Sequence, residues 1–194
     1  MHRLLLILLT LLSLAAPASA GSSGCVKGDC REGQGIYRFP DGTLYRGKFS
    51  DGLMEGRGSM TYPDGGSYEG DFARGQFDGH GKAAYPSGDS YDGDFRVGKP
   101  SGRGTYRYSS GDEYTGGFIN GLPEGDGTLT FKTGGRYQGA FKVGDPHGQG
   151  AYHYPDGSAY EGDFARGKKE GRGTYTFPDG SKQTGVYRND HFVE

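Results

Sequence analysis

The sequence has no tryptophan, only two cysteines and no excess of basic residues. Hydrophobic residues make up 32% of the 194 positions, which excludes a large core built from layers of aliphatic side chains. The formal net charge of −2 argues against nucleic-acid binding, which usually needs a strongly basic surface. Glycine is abundant instead, with 40 residues. Because the glycines recur at regular intervals, the composition predicts a repeat protein rather than a disordered chain.

The first twenty residues have the pattern of a secretory signal peptide. A short basic start precedes the apolar run Leu4–Ala16, and Ala18 and Ala20 form a small-residue cleavage signal. The apolar run is shorter than the roughly 20 residues that a membrane span needs. We therefore expect residues 1–20 to be removed, and the chain to be exported to the periplasm, the cell envelope or the medium. The alternatives are an uncleaved anchor and a lipoprotein attached through Cys25.

Both cysteines lie just after the predicted cleavage site, in the segment 21–32. An even number of cysteines in an exported protein favours a disulfide, here between Cys25 and Cys30. Gly28 lets the short loop between them turn tightly. Free thiols and a metal site are the alternatives, although the segment contains no histidine. We expect an oxidised N-terminal cap that restrains the end of the domain.

The rest of the chain is one unit repeated every 23 residues. Each unit has a tyrosine, a glycine two positions later and a phenylalanine or tyrosine four positions later. A Gly-x-Gly pair follows, then a segment that ends in an aromatic residue and a turn. The repeated tyrosines, here called the column tyrosines, are Tyr45, Tyr68, Tyr91, Tyr114, Tyr137 and Tyr160.

The pattern within one unit predicts a β-hairpin. Ser67–Phe72 and Gly79–Tyr85 both alternate between two kinds of side chain, as strands do. Pro-Asp-Gly or a related triplet then turns the chain into the next strand, as in Pro63–Gly65. The sequence therefore predicts an all-β antiparallel meander over residues 33–194, with about 14 strands, little helix and a flat length of roughly 65 Å.

The alternation also sorts the side chains onto two faces of the sheet. Tyr68, Gly70 and Phe72 lie on one face, whereas Glu69 and Asp71 lie on the other. We expect the aromatic rings to lie on the bare backbone of neighbouring glycines. We expect the second face to be solvated and held by opposite charges on adjacent strands, each pair contributing roughly 0.2–1 kcal/mol.

The unit resembles the MORN (membrane occupation and recognition nexus) repeat. The match is clear in Tyr160–Phe164, which is followed by Gly167, Gly171 and Gly173. The resemblance implies an elongated, curled, single-layer antiparallel sheet of about seven repeats. It also implies a scaffold, a dimerisation module or a phospholipid binder. The positions that depart from the repeat are Ala83, Leu129, Gln183 and Asp190, the last two at the C-terminal end, where a capping repeat is expected.

No motif in the sequence points to catalysis, a cofactor or a metal. The histidines are scattered, and the carboxylates recur with the repeat, so we expect a chain that is not an enzyme. We expect the column tyrosines to line a wet groove or ledge, because a hydroxyl prefers water or a partner. The phenylalanines four positions later are expected to pack more deeply.

The aromatic face is the predicted binding surface, and its expected ligand is a protein partner or a second copy of the chain. A phospholipid surface is one alternative, with Arg166–Arg172 as the best basic segment. An envelope glycan stacked on tyrosine rings is the other alternative. Nucleic acid is not an expected partner.

Overall fold

The computed structural model describes residues 23–194, and all regular secondary structure in that range is β-strand. The predicted signal peptide lies outside the described residues. The strands are β1 Gly24–Gly28, β2 Gly33–Arg38, β3 Leu44–Ser50, β4 Leu53–Thr61, β5 Ser67–Ala73, β6 Gln76–Ala84, β7 Ser90–Arg96, β8 Lys99–Arg107, β9 Glu113–Ile119, β10 Leu122–Thr130, β11 Arg136–Lys142, β12 Asp145–His153, β13 Ala159–Ala165, β14 Lys168–Thr176, β15 Lys182–Arg188 and β16 His191–Phe192. The prediction of an all-β chain of hairpin repeats is confirmed.

The sixteen strands form one antiparallel sheet in which each strand pairs with its neighbours in the sequence. This is the predicted meander, with two more strands than the about 14 expected. The described residues fall into two compact units, 23–102 and 103–194, and the boundary lies within β8. Each unit contains the same register of tyrosines and glycines.

The strand register places glycine opposite glycine in successive hairpins. In the first unit, Gly70 of β5 pairs with Gly58 of β4 on one side and with Gly81 of β6 on the other. Tyr68 of the same strand lies between Met60 and Ala83. The aligned glycines form a strip of bare backbone beside each tyrosine, as the sequence predicted.

Two kinds of turn connect the strands, and the first is the predicted Pro-Asp-Gly turn. In the turn after β4, Gly65 donates its N–H to the carbonyl of Tyr62, and Tyr62 donates to the carbonyl of Gly66. The Asp64 carboxylate accepts the N–H of Gly66 at 3.0 Å. Gly65 has a φ of +91°, a backbone conformation that favours glycine.

The second kind of turn is a two-residue connection whose first residue is not glycine. Arg74 and Gly75 join β5 to β6 with φ values of +50° and +80°. β6 therefore begins at Gln76 rather than at Gly79, where the sequence pattern placed the start of the strand. Positive φ at both positions matches the twist of the flanking strands, which makes so short a turn suitable.

The two-residue turns also link neighbouring repeats within each unit. Arg74 donates its N–H to the Glu55 carboxylate at 3.0 Å, and Gly75 donates to the carbonyl of Met54 at 2.9 Å. In the second unit, Val143 bonds in the same way to Glu124 at 2.9 Å. Neighbouring repeats are therefore joined at this edge by hydrogen bonds in addition to the strand ladder. Stability that depends on contacts between adjacent repeats is typical of repeat proteins.

The second face of the sheet carries opposite charges on adjacent strands, as predicted. The Lys82 ammonium lies 3.2 Å from the Asp92 carboxylate, and the Arg107 guanidinium lies 2.9 Å from the Glu113 carboxylate. These side chains are largely exposed, so each pair contributes at most about 1 kcal/mol. The face is solvated and structural in character.

The cysteines form the predicted disulfide. Cys25 and Cys30 are bonded, with their Cα atoms 5.8 Å apart. Cys25 lies in β1, which pairs with β2 through an irregular register. The disulfide thus joins β1 to the loop that leads into β2.

Candidate binding face

The column tyrosines are the most deeply buried side chains of the aromatic face. None of the six is more than 1% exposed, whereas the phenylalanines four positions later are 2–4% exposed. The prediction that the tyrosines line a wet ledge above deeper phenylalanines is therefore wrong. The six residues are Tyr45, Tyr68, Tyr91, Tyr114, Tyr137 and Tyr160.

Each column hydroxyl is satisfied inside the sheet, which explains why tyrosine tolerates this burial. Tyr68 donates to the carbonyl of Asp71 at 2.8 Å, and Tyr114 donates to the carbonyl of Gly117 at 3.0 Å. The other four donate in the same way to the residue three positions later. Register irregularities lie beside these carbonyls, as between Gly70 and Phe72. A hydroxyl bonded in this way has no need of water or a partner.

The rings lie flat on glycine and edge-on against phenylalanine. A methyl group placed on Gly127 would meet the Tyr114 ring carbon Cε2 at 2.6 Å, so the ring covers the backbone at that point. Tyr114 also makes edge-to-face contacts with Phe118 and Phe141, at 5.1 and 4.8 Å between ring centroids. Phe141 belongs to the following repeat. Tyr45, Tyr68, Tyr137 and Tyr160 make the same kind of contact with the following repeat. These tyrosines therefore hold neighbouring repeats together within each unit.

Tyr114→Phe should lower the free energy of unfolding by about 1–3 kcal/mol, because the substitution leaves the buried carbonyl of Gly117 without its donor. Urea denaturation followed by circular dichroism measures the change. A ring that only fills space would give unchanged stability. Tyr108→Phe, at a half-buried position, is the comparison variant and should have a smaller effect.

Burial also raises the pKa of the column tyrosines. It raises the pKa of Tyr45, Tyr137 and Tyr160 to about 12, and the nearby Glu55, Asp126 and Asp163 carboxylates act in the same direction. In the unfolded chain these phenols ionise near their ordinary value of 10.0. Their protonated forms therefore stabilise the fold fully below pH 10, and this stabilisation is lost as the pH rises from 10 through about 12.

We expect cooperative alkaline unfolding in that pH range. Tyrosinate absorbance should rise together with the loss of the β-sheet circular dichroism signal, because the buried phenols ionise only when the chain opens. Ionisation of all tyrosines near pH 10 with the sheet intact would contradict this expectation.

A second series of aromatic residues lies on the same face and is only half-buried. These residues precede the proline-type turns and are here called the aromatic ledge: Phe39, Tyr62 and Tyr85 in the first unit, and Tyr108, Phe131, Tyr154 and Phe177 in the second. Phe177 is 39% exposed. The sequence pattern contained these positions, but the preference of hydroxyls for water pointed to the column tyrosines instead.

Ring contacts make the ledge continuous at its C-terminal end. Tyr152 and Tyr154 have centroids 4.4 Å apart, Tyr154 and Tyr175 are 5.7 Å apart, and Tyr175 and Phe177 are 4.9 Å apart. The Tyr175 hydroxyl bonds to the hydroxyl of Ser158 at 2.7 Å. This part of the ledge is a fixed apolar surface that remains partly open to solvent.

One charged side chain lies among these rings. The Lys169 ammonium is 5.2–5.9 Å from the ring centroids of four tyrosines, which are Tyr154, Tyr160, Tyr175 and Tyr187. Burial lowers the pKa of Lys169, and the Asp190 carboxylate opposes that effect. The backbone N–H of Lys169 donates to the same Asp190 carboxylate at 2.9 Å. From the sequence alone, this lysine belongs to the basic segment Arg166–Arg172.

The structure leaves that basic segment, Arg166–Arg172, poorly suited to a membrane surface. Lys169 points into the tyrosine cluster, and Lys168 donates to the side-chain oxygen of Asn189 at 3.0 Å. Within residues 23–194, no helix is long and apolar enough to cross a membrane. Over the same range, no group of histidine, cysteine or carboxylate side chains is arranged to hold a metal ion.

The fold and this face define a tandem-repeat β-sheet protein with an aromatic side packed on glycine. The chain belongs to the MORN repeat family. The model of the MORN repeat matches residues 23–44, 45–67, 68–90, 91–113, 114–136, 137–159 and 160–182. The first match includes the cysteine segment, which supplies the first strand of the sheet. A comparison with curated protein sequences gives no match.

The solved structures that the chain resembles include domains of SAS-4 and CPAP. The TCP domain of Drosophila melanogaster SAS-4 (dCPAP), solved with a proline-rich motif of Ana2 (dSTIL), is 14% identical, with a TM-score of 0.52 over 91% of this chain and 97% of that domain. The CPAP G-box domain is 17% identical, with a TM-score of 0.43 over 80% and 75%. The TCP10 domain of Danio rerio CPAP is 17% identical, with a TM-score of 0.28 over 79% and 84%. At 14% identity the likeness to the SAS-4 domain concerns the fold alone.

Proposed function

We propose that this MORN repeat chain is a non-enzymatic scaffold that binds another protein through the aromatic ledge. The observation that carries the proposal is the ledge itself, a row of partly exposed rings beside column tyrosines that are fully buried. Partly exposed aromatic residues on a rigid support are typical of protein interfaces, where they supply much of the binding energy. The sheet provides that support because the rings beneath the ledge are fixed by hydrogen bonds and glycine contacts.

A proline-rich extended segment is the first partner chemistry to test. Such segments bind to grooves lined by aromatic rings, because a polyproline helix loses little entropy on binding. The Drosophila domain that shares this fold was solved with a motif of that kind. A second copy of the chain is the other protein partner that the ledge would suit.

The partner surface is tested by photo-crosslinking from single positions on the two faces. A photoreactive phenylalanine analogue at Phe131 or Phe177 should capture the partner, whereas the same analogue at Glu161 or Arg172 on the charged face should not. Equal capture from both faces would contradict the proposal. Phe177→Ser should weaken binding to the captured partner with only a small decrease in the melting temperature, because this ring is already 39% exposed.

We also propose that the chain works outside the cytoplasm. The leader pattern of the first twenty residues and the Cys25–Cys30 disulfide support export, because disulfides persist in oxidising compartments. Intact-mass measurement of protein from its native compartment should give a chain that begins at Gly21 and lacks free thiols. Two alkylatable thiols on that protein would contradict an oxidised cap.

Phospholipid and glycan remain the alternative ligands of the same face, and both are separated from a protein partner by direct assays. Salt-sensitive flotation with anionic liposomes would favour a membrane surface. Retention on purified cell wall that is lost in Phe177→Ser would favour a glycan. A protein scaffold should show neither result.

A further inference from the structure

Lys169 occupies a position that is apolar in six other units of the 23-residue period, where the residues are Met54, Phe77, Pro100, Pro123, Pro146 and Phe192. In the first repeat the same position is Arg31. One of the apolar residues covers a column tyrosine: the Phe77 ring stacks on Tyr68 with centroids 3.7 Å apart. At Lys169, a flexible charged chain takes the place of that cover.

The four rings around Lys169 form a box, here called the tyrosine box, made of Tyr154, Tyr160, Tyr175 and Tyr187. Its dimensions are larger than an ammonium group needs. The Lys169 nitrogen lies 5.2–5.9 Å from the four ring centroids. Direct contact of an ammonium nitrogen with a ring would bring it to about 3.5–4 Å. In a methylated ammonium group the methyl carbon touches the ring, and the N–C bond adds about 1.5 Å. The distance from the nitrogen to the ring is then roughly 5–5.5 Å.

We propose that the tyrosine box is a binding site for a methylated ammonium group and that the Lys169 side chain fills it in the free protein. Boxes of aromatic rings recognise quaternary ammonium groups because the ring faces attract the cation while the methyl groups fill the space. The Asp190 carboxylate lies close enough to raise the pKa of Lys169, so its field also favours a positively charged guest. This site is separate in chemistry from the protein partner proposed above.

The box is rigid on two sides and accessible on the others. Tyr160 and Tyr187 are buried and donate their hydroxyls to the carbonyls of Asp163 and Gln183 at 3.2 and 3.3 Å. Tyr154, Tyr175 and Lys169 are only half-buried. Lysine is flexible, and its ammonium is strongly hydrated in water, so this side chain has a favourable alternative outside the box. A quaternary ammonium group cannot donate hydrogen bonds to water and therefore loses less on entering.

Titration with tetramethylammonium, followed by the proton resonance of its methyl groups, tests the site on the whole mature chain. Protons that face aromatic rings shift upfield, so binding should give a saturable upfield shift. Lys169→Ala should bind at least about tenfold more tightly than the wild-type chain, because the competing side chain is gone. Lys169→Met should bind no better than wild type, because an apolar side chain of similar length still fills the box.

Two further variants establish which rings are responsible. Adding Tyr154→Leu to Lys169→Ala should abolish the shift, because leucine keeps apolar bulk but removes one aromatic wall. Adding Tyr108→Leu, at the equivalent ledge position two repeats earlier, should leave it unchanged. Melting temperatures of all variants show that each is folded. In the wild-type chain, loss of ring-current shift at the Lys169 side-chain methylenes on titration gives a reading that needs no substitution.

A folded Lys169→Ala chain without a saturable shift would overturn the proposal, and so would a shift that is indifferent to Tyr154→Leu. If the shift is found, choline and phosphatidylcholine vesicles identify the source of the ammonium group. Binding of choline alone would assign a small solute, and Tyr154-dependent flotation with the vesicles would assign a lipid headgroup. None of these assays uses the protein partner, so their failure leaves the scaffold proposal standing.

Discussion

Gly81→Ala should lower the free energy of unfolding by about 3 kcal/mol, although it adds only one methyl group. The methyl group would lie 2.5 Å from two carbons of the Tyr68 ring. The ring has nowhere to move, because Phe77 stacks on it at 3.7 Å and its hydroxyl is bonded to the carbonyl of Asp71 at 2.8 Å. The glycine is therefore required by the close approach of a ring rather than by its own backbone conformation. Equilibrium urea denaturation measures the loss.

Gly33→Ala is the matched control for that substitution. Gly33 also belongs to a Gly-x-Gly pair in the first unit, but an added methyl group would meet only the exposed Asp29 side chain, at 3.3 Å. Because alanine restricts the unfolded chain more than glycine does, this variant should be unchanged or slightly more stable. Equal losses from both variants would show that the glycines are needed for strand geometry in general, and would contradict the role given to the ring.

Much of the fold follows from the 23-residue period, because every hairpin has its tyrosine, glycines and turn residues at the same positions. The alternate spacing of Tyr68, Gly70 and Phe72 predicts that they share one face of the sheet. The triplet Pro63–Gly65 predicts the turn between two strands. The two-residue turns were harder to locate, because sequence reasoning expects glycine or asparagine where φ is positive. Val97 and Val143 both have a φ of +51°. Their hydrogen bonds to Asp78 and Glu124 in the preceding repeat help to hold them in that conformation.

The error over the column tyrosines has an identifiable physical cause. The rings are expected from the sequence to lie on glycine, but a hydroxyl is expected at a wet edge as long as no acceptor inside the sheet is identified for it. A tyrosine that lies along its own strand over glycine reaches about two residues further, since each residue adds about 3.3 Å. That length brings the Tyr68 hydroxyl to the carbonyl of Asp71. Glycine two positions after tyrosine is the signal that could have indicated this geometry.

The tyrosine box lay beyond sequence reasoning for a different reason. Lys169 stands within a run of charged residues, and such runs are usually solvated. Its contacts come from Tyr154 in the preceding repeat, Tyr175 on its own strand and Tyr187 on the next strand. Only the strand register brings these rings together. Aligning the repeats does reveal that Lys169 is charged at a position that is apolar from Met54 to Pro146, and this is the signal available in the sequence.

Phe141→Ala should lower the free energy of unfolding by about 3–5 kcal/mol. Phe141 is 3% exposed and makes edge-to-face contacts with Tyr137 in its own repeat, at 5.1 Å, and with Tyr114 in the preceding repeat, at 4.8 Å. Its removal leaves a cavity between two repeats and takes an edge contact from two rings. The same residue type at Phe177 is 39% exposed, so Phe177→Ala should cost far less and serves as the control.

The contact across repeats is isolated by a double-mutant cycle between Tyr114→Leu and Phe141→Ala, because each substitution removes one of the two rings in contact. Residues in contact show coupling energies of about 0.5–3 kcal/mol, whereas distant residues add independently. We expect coupling in this range for Tyr114→Leu with Phe141→Ala, and additivity for Tyr114→Leu with Phe177→Ala. Additive losses in the first pair would contradict a stabilising contact between the two repeats. Coupling would show that a column tyrosine is shared between neighbours, because the phenylalanine completing its packing lies 27 positions further along the chain.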